Sequence, residues 1–494
     1  MKKEGQEKKK EKETEKAKEK KETGITAEKD EFSEWFSQLM LKADLADYTD
    51  VSGCIVLKPA AYAIWEMIVD ECDKRFKKLG IRNCYFPLLI PEKLLSMEKE
   101  HVEGFSPEVA WVTEAGNTKL SERLAIRPTS ETIMYPSYSK WIRSWRDLPL
   151  KLNQWNNAVR WEFSHPVPFL RTREFLWNEG HTVYASEKDA IKERGEILNV
   201  YGEVCEDFMA LYGVVGKKTE KEKFAGAVFS EKIHYIMPNG RAIEGPCFHH
   251  DGQKFAKAYD IKFLDRDGKE NYAWQNTFAI STRMLGVMFA VHSDSKGLIL
   301  PPKIAPTQII IIPIYNNENK NEIIKKAKEI GEQLSDFRVE IDLKEDSVGS
   351  KFYNSELKGI SARVEIGPKD IAKKQVVVVR RDTNKKYEIK TEELKKELSE
   401  ILEDMQKSLF KKSEEMFKEK IERAETIDKL IKIIENKKVG IAPLCKKREC
   451  EDMVKFKTKG AKALFISEEK IKPKTQCIIC KEPADYYVYA GKSY

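Results

Sequence analysis

Two strand-like pieces flanking a polar loop constrain this chain more than any other feature: Arg160-Trp161-Glu162-Phe163-Ser164-His165, then Phe169-Leu170-Arg171-Thr172-Arg173-Glu174-Phe175-Leu176-Trp177. Arginines bracket the loop. Forked guanidinium donors hold phosphate oxygens without reorganising, which suits a nucleoside triphosphate and the charge that develops at its α-phosphorus. Taken alone, a structural ladder of ion pairs accounts for the same charges, so the rest of the chain has to decide.

With 494 residues, 41% of them hydrophobic, there is material for roughly two to four domains with separate cores. No apolar run approaches the roughly 20 residues that a membrane span needs. The opening stretch lacks the apolar centre of a secretory signal, and its interleaved Glu and Lys are unlike a mitochondrial presequence, so a cytoplasmic location is expected. Lys and Arg number 88 against 81 Asp and Glu, a net charge of +7. Two dense charge populations, not one basic surface, hint at nucleic acid without requiring it. Cys54, Cys72, Cys84, Cys205 and Cys247 are scattered, whereas Cys445, Cys450, Cys477 and Cys480 cluster near the end. In a cytosolic chain that clustering favours metal over disulfides. Four thiolates in two close pairs suit tetrahedral zinc; reduced thiols without metal are the alternative, and disulfides the third.

Along the chain, residues 1–24 are almost pure Lys and Glu with no apolar face, and read as a solvated helix or a disordered arm. Residues 25–302 form the largest domain. There Ala63, Trp65, Ile68, Val69, Cys72, Phe76 and Leu79 predict a helix over Pro59 to Leu79, ended by Gly80 before a strand from Ile81 to Phe86. Further strands are expected at Leu124 to Arg127, Asn157 to Phe163, Glu174 to His181, Ile261 to Leu264 and Asn271 to Ile280, giving an antiparallel sheet flanked by helices. Pro301-Pro302 reads as a linker. Residues 303–403 read as a small α/β domain with strands at Gln308 to Pro313, Val339 to Leu343, Ala362 to Ile366 and Val376 to Arg380. A charged helix from about Thr391 to Ala424 leads into a cysteine-bearing unit, the domain boundary falling at 404–494. The expected class is α/β multidomain with an α+β core.

The segments Arg160-Trp161-Glu162-Phe163 and Arg171-Thr172-Arg173-Glu174-Phe175 resemble motif 2 of class II aminoacyl-tRNA synthetases, in the form typical of the prolyl-tRNA synthetase family. Arg127-Pro128-Thr129-Ser130-Glu131-Thr132 looks like that family's amino-acid-binding loop. Gly80 to Pro87 looks like motif 1, and Asn276 to Arg283 like motif 3. The resemblance extends through Gly240-Arg241-Ala242-Ile243-Glu244, His249-His250, Leu300-Pro301-Pro302 and the last residues, and is greatest with the archaeal and eukaryotic branch. It implies that Arg160, Arg171 and Arg283 are catalytic. It assigns Arg160, Glu162, Arg171, Thr172, Glu244, Cys247, Ser281 and Arg283 to ATP, and Thr129, Glu131, Arg160, Phe175, Trp177, His181 and His249 to proline. Magnesium should accompany the triphosphate. No protein nucleophile is expected, since attack by a carboxylate on the α-phosphorus needs positioning and charge neutralisation.

Four positions depart from the family pattern: Glu244 stands for Gln, Cys247-Phe248 for Thr-Ser, and Ala279 for Gly. About 110 residues separate Thr172 from Ser281, which leaves no room for the editing domain of many bacterial relatives. The resemblance implies that residues 303–403 bind the anticodon of tRNA(Pro), with Leu357 to Ile360 and Arg363 to Pro368 as the recognisable pieces and Arg380-Arg381 at a strand end. It also implies structural zinc on the four clustered cysteines, Tyr494 packing back onto the catalytic domain, and a homodimer through motif 1. The arm at 1–24 serves either solubility or tRNA attraction, and a larger synthetase assembly stays open.

Overall fold

Pro59 is pre-set for the first turn of a helix, and Ala61, Ile64, Trp65, Ile68, Cys72 and Phe76 recur at helical spacing on the buried face of the helix Pro59–Lys78. Gly80 follows at φ +77°, which only glycine adopts freely, and turns the chain out of the helix. The computed structural model describes residues 24–101, 108–162 and 166–494. Nearly all of the Lys/Glu-rich arm, and Phe163, Ser164 and His165 of the polar loop, lie outside the described residues.

The strand expected from Ile81 to Phe86 reduces to Arg82–Asn83, which pairs in parallel with Leu152 and Asn153 at one edge of the main sheet. Among the described residues that sheet has 11 strands. From the opposite edge they run Ile421–Arg423, Val439–Leu444, Tyr486–Gly491, Lys462–Ile466, Val214–Lys217, Phe229–Ile236, Ala242–Gly252, Trp274–Ala279, Glu174–Tyr184, Leu150–Val159 and Arg82–Asn83. The central strands are antiparallel, as expected. The helices Phe32–Lys42, Pro59–Lys78 and Arg283–His292 cover one face, with Trp35, Phe36, Ile68, Phe76, Phe278 and Phe289 in one core. Burying each such large apolar side chain stabilises the fold by about 1.5–3 kcal/mol.

The strand expected at Asn157 to Phe163 instead runs Leu150–Val159. Its polar start escapes a hydrophobicity reading because Asn153 and Gln154 are buried by pairing, not by apolarity. Asn153 Nδ2 donates to Asn83 Oδ1 at 2.9 Å, and Asn178 Nδ2 donates to Asn153 Oδ1 at 2.8 Å.

The smaller α/β domain carries a five-stranded sheet in the order Val339–Ile341, Ile309–Pro313, Ala362–Ile366, Gln375–Arg380, Lys386–Lys390. Its first three strands are parallel and the remainder antiparallel. The Pro301-Pro302 junction is buried and pinned: Arg338 Nη2 donates to the Pro302 carbonyl at 2.8 Å, and Lys303 N donates to Gln406 Oε1 at 3.1 Å. Arg380 is paired with Asp382 and Asp404, and Arg381 grips Asp294 of the larger domain through two bonds of 2.9 and 2.7 Å. These two arginines therefore hold the structure together and are not presented for base contacts. The helix Leu394–Glu419 runs unbroken past residue 403.

The last unit shares the main sheet with the catalytic strands. Its join is the pairing of Ile466 with Lys217, backed by Thr219 Oγ1 donating to Glu451 Oε2 at 3.0 Å. Tyr494 returns to the same domain: its N donates to the Ala242 carbonyl at 3.2 Å, and Asn239 Nδ2 donates to its hydroxyl at 2.8 Å. No helix among the described residues is long and apolar enough to cross a membrane.

Candidate active site

Residues two apart on a strand share a face. On Glu174–Tyr184 this rule aligns Phe175, Trp177, Glu179 and His181, and all four line one cleft of about 1280 Å³ on the main sheet. Strand register extends the floor in two rows. At one end His181 pairs with Thr277, Thr277 with His249, and His249 with Ser230. At the other, Ala279 pairs with Cys247 and Cys247 with Lys232. Gly180 sits between, and its lack of a side chain is required: a Cβ there would fall 2.0 Å from the Phe278 ring.

The first row is a polar pocket with aromatic walls. Thr129 Oγ1 donates to Glu131 Oε2 at 2.5 Å, and both residues are buried. Beneath them the Glu179 carboxylate accepts from Ser130 N at 2.9 Å, Asn156 Nδ2 at 2.9 Å, Gln154 Nε2 at 3.2 Å and the Ser130 hydroxyl. Burial opposes its charge, but His181 and these donors outweigh burial and bring the carboxyl down to about 2. His249 Nδ1 is hydrogen-bonded to Ser230 Oγ at 2.7 Å, and burial first, then the charge of Lys232, lowers its pKa to about 3, so the ring is neutral at pH 7. The guanidinium of Arg160 lies 5.2 Å from the Trp177 ring and 5.5 Å from that of Phe175, while its Nε donates to the Pro128 carbonyl at 3.2 Å. Trp177 Nε1 is buried with no hydrogen-bond partner among the described residues, leaving a donor beside the cleft.

The second row is the charged end. Arg283 is fixed by bonds from Nε to the Leu170 carbonyl and from Nη1 to the Glu244 carbonyl, both 3.1 Å. Burial works against the Glu244 carboxylate, but Lys232 and Lys218 outweigh it and hold it well below the ordinary carboxylate range. Glu162, Thr172, Ser281, Cys247 and Ala279 also line the cleft, so of the departures in sequence Glu244, Cys247 and Ala279 face it while Phe248 is buried in the core. Burial pushes the Cys247 thiol up, making it an uncharged wall at pH 7.

Every residue expected at the substrate sites lines the cleft except Arg171, whose charge acts on Arg283. The structure adds Glu179, Lys232, Thr277 and, from the C-terminal unit, Arg448. Glu179 had a visible signal, since the alternation that selects Phe175, Trp177 and His181 includes it. Lys232 and Arg448 had none, because only the sheet brings them here.

In the C-terminal unit, Cys445, Cys450, Cys477 and Cys480 place their sulfurs within 4.8 Å of one another, with Cys445 Sγ 3.5 Å from Cys450 Sγ and 3.7 Å from Cys480 Sγ. Tetrahedral ligation at a Zn–S distance of about 2.3 Å requires S···S separations of about 3.8 Å. Burial opposes the Cys477 thiolate, yet backbone N–H groups of Cys480 and Ile479 favour it and lower its pKa, whereas burial raises the Cys445 and Cys450 thiols, which a bound cation would have to deprotonate.

An antiparallel sheet carrying an arginine-lined cleft, beside a separate α/β domain, defines a class II aminoacyl-tRNA synthetase. In agreement, residues 111–292 match the tRNA synthetase class II core domain (G, H, P, S and T), 308–401 an anticodon binding domain, and 427–494 the C-terminal domain of prolyl-tRNA synthetase. The chain is 45% identical to a proline-tRNA ligase of Ruminiclostridium cellulolyticum over 95% of this chain and 98% of that one. It is 42% identical to the cytoplasmic proline-tRNA ligase of Arabidopsis thaliana over 96% and 92%. It spans about a third of the bifunctional glutamate/proline-tRNA ligase of Cricetulus griseus, with 43% identity over 95% of this chain and 33% of that one. A crystal structure of prolyl-tRNA synthetase from Cryptosporidium parvum, complexed with halofuginone and AMPPNP, superposes with a TM-score of 0.91 at 43% identity, covering 96% of this chain and 100% of that one. The chain belongs to the prolyl-tRNA synthetase family.

Proposed function

We propose that this chain is a proline-tRNA ligase: it activates L-proline with ATP to prolyl-adenylate and pyrophosphate, then transfers the prolyl group to the 3′ end of tRNA(Pro). The observation that carries this reading is one cleft with an acidic, ring-walled pocket at one end and an arginine-lined end at the other, joined at Arg160. Proline differs from other amino acids by a secondary ammonium and a compact ring. Thr129 and Glu131 supply acceptors for the ammonium, and Phe175, Trp177, His181 and His249 supply walls for the ring.

Arg160 holds the carboxylate against the α-phosphate, while Glu162, Arg171, Thr172, Glu244, Cys247, Ser281 and Arg283 form the ATP site. The proline carboxylate oxygen forms a bond to the α-phosphorus as the bond to the β-phosphate oxygen breaks and pyrophosphate leaves with its electrons. A ribose hydroxyl of the tRNA then attacks the prolyl carbonyl, AMP departs, and the hydroxyl proton is released. Neither step needs a protein nucleophile, because positioning and charge neutralisation lower the barrier. Magnesium, a hard cation that binds phosphate oxygens, enters with the triphosphate.

Residues 25–302 are the catalytic domain, 303–403 the anticodon-binding domain and 404–494 a C-terminal domain in which Cys445, Cys450, Cys477 and Cys480 hold structural zinc. The chain between Thr172 and Ser281 forms elements of the catalytic domain, and the reading includes no editing in cis. Exposed Tyr85, Leu89 and Trp141 beside the edge strand support a homodimer through motif 1. A cytoplasmic location fits this activity, with membership of a larger synthetase assembly left to experiment.

Amino-acid-dependent ATP-pyrophosphate exchange tests the reading, comparing proline, alanine, threonine and histidine. Exchange should be strongest with proline and fall by about 10²–10³-fold in Arg160→Ala. No exchange with any of the four, in a folded sample supplied with tRNA, would leave a tRNA-binding paralogue as the better description.

A further inference from the structure

Lys218 lies on no wall of the cleft, yet it touches the charged end from behind. Its side chain is 2% exposed, and its ammonium has two acceptors: Glu244 Oε1 at 2.8 Å and the Leu464 carbonyl at 2.6 Å. Leu464 belongs to Lys462–Ile466, the strand through which the C-terminal domain joins the main sheet at Ile466 and Lys217. Glu244 is in turn held on its other oxygen by Lys232 at 2.6 Å, and its backbone carbonyl accepts from Arg283 Nη1 at 3.1 Å. A continuous set of contacts therefore leads from the C-terminal domain, through one buried ammonium, to a carboxylate and an arginine of the nucleotide end.

The charges make this more than a staple. Without Lys218, Glu244 keeps one ammonium partner and can turn towards Lys232, and the Leu464 carbonyl loses its charged donor. We propose that Lys218 is a positioning residue for the nucleotide, holding the Glu244 carboxylate at the charged end in register with the C-terminal domain. This rests on reading Glu244 and Arg283 as ATP contacts. The glutamate that stands where the family pattern has glutamine thereby acquires a reason: in this chain a carboxylate completes a pair of lysines, Lys218 and Lys232, across the two domains.

The test is a double-substitution cycle on the full chain, reading the KM for ATP and the KM for proline separately in pyrophosphate exchange. Proline-dependent exchange by the unmodified chain settles the activity beforehand, so failure of that reading is seen apart from failure of this one. Lys218→Met should raise the ATP KM about 10–100-fold, the effect of losing a charged hydrogen bond, with the proline KM unchanged within about twofold. Adding Glu244→Gln should return the ATP KM of Lys218→Met towards that of Glu244→Gln alone, because a neutral amide does not require the ammonium. Lys218→Gln keeps a donor for the Leu464 carbonyl and loses only the charge, so it serves if Lys218→Met does not fold; its raised ATP KM should be rescued in the same way. An ATP KM unchanged in a folded Lys218 variant, or a raised one that Glu244→Gln does not relieve, would reduce Lys218 to a structural tie and overturn the proposal.

Discussion

Replacing Glu179 with Gln changes one oxygen to an NH₂ and tests the polar base of the proline pocket. In one orientation of the new amide the NH₂ faces Ser130 N, a backbone donor that cannot rotate away; in the other it faces Asn156 Nδ2 and Gln154 Nε2. Either way at least one buried donor is left unpaired, at about 1–3 kcal/mol, and the remaining bonds lose their charge assistance. The lowered pKa of this carboxyl points the same way, because its charged form is favoured in the folded protein. A loss of roughly 3 kcal/mol should lower the melting transition of the catalytic domain by about 6–12 °C. Thr129 donates to Glu131 and also lies 3.1 Å from Glu179 Oε1, so loosening this loop should raise the proline KM about tenfold more than the ATP KM.

The pH dependence has a definite sign. A carboxyl with a depressed pKa contributes its full stability above the ordinary carboxylate range and loses it as pH falls towards about 2. The gap between the two proteins should therefore narrow in thermal melts as pH falls below the ordinary carboxylate range. Equal melting temperatures at pH 7 with an unchanged proline KM would refute the reasoning, as would a gap that widens as pH falls below the ordinary carboxylate range.

Gly180→Ala forces a Cβ to within 2.0 Å of the Phe278 ring, so it should cost several kcal/mol, about 1–3 for overpacking plus the displaced ring, and reduce soluble yield; a wild-type melting curve would contradict this packing. Without editing in cis, the pocket discriminates alanine by only about 1–3 kcal/mol per missing methylene. Alanyl-tRNA should thus accumulate at high alanine, and its absence by acid-gel or mass analysis would count against that view. Cys477→Ser should abolish one equivalent of bound zinc by elemental analysis and lower the melting temperature of the C-terminal domain. Retention of full metal content would remove Cys477 from the ligand set.

How far the chain could be read in advance follows from where each signal resides. Motif 2 is a local stretch, and resemblance to it marked three of the four side chains that the returning strand turns to the cleft; period-two alternation adds Glu179. The helix Pro59–Lys78 was legible for the same reason, since its apolar stripe lies within one element. The strand Leu150–Val159 was misplaced by several residues because its buried Asn and Gln are satisfied by side chains of other strands. Polarity alone reads such positions as exposed. Arg380 and Arg381 read in sequence only as a basic pair at a strand end, because their acceptors Asp404 and Asp294 lie 24 and 87 positions away.

The sequence by itself determined the kind of chemistry through the resemblance of several contiguous motifs taken together, since the flanking arginines alone also fit a structural ladder of ion pairs. Tertiary structure alone decided which groups share one cleft. It brought the charge of Arg171 to bear on Arg283, set Lys232 across from Cys247, and brought Leu464 to Lys218 over 246 positions. The physical reason is that strand register and charge pairing act through space, and their energies depend on partners that a linear pattern does not identify.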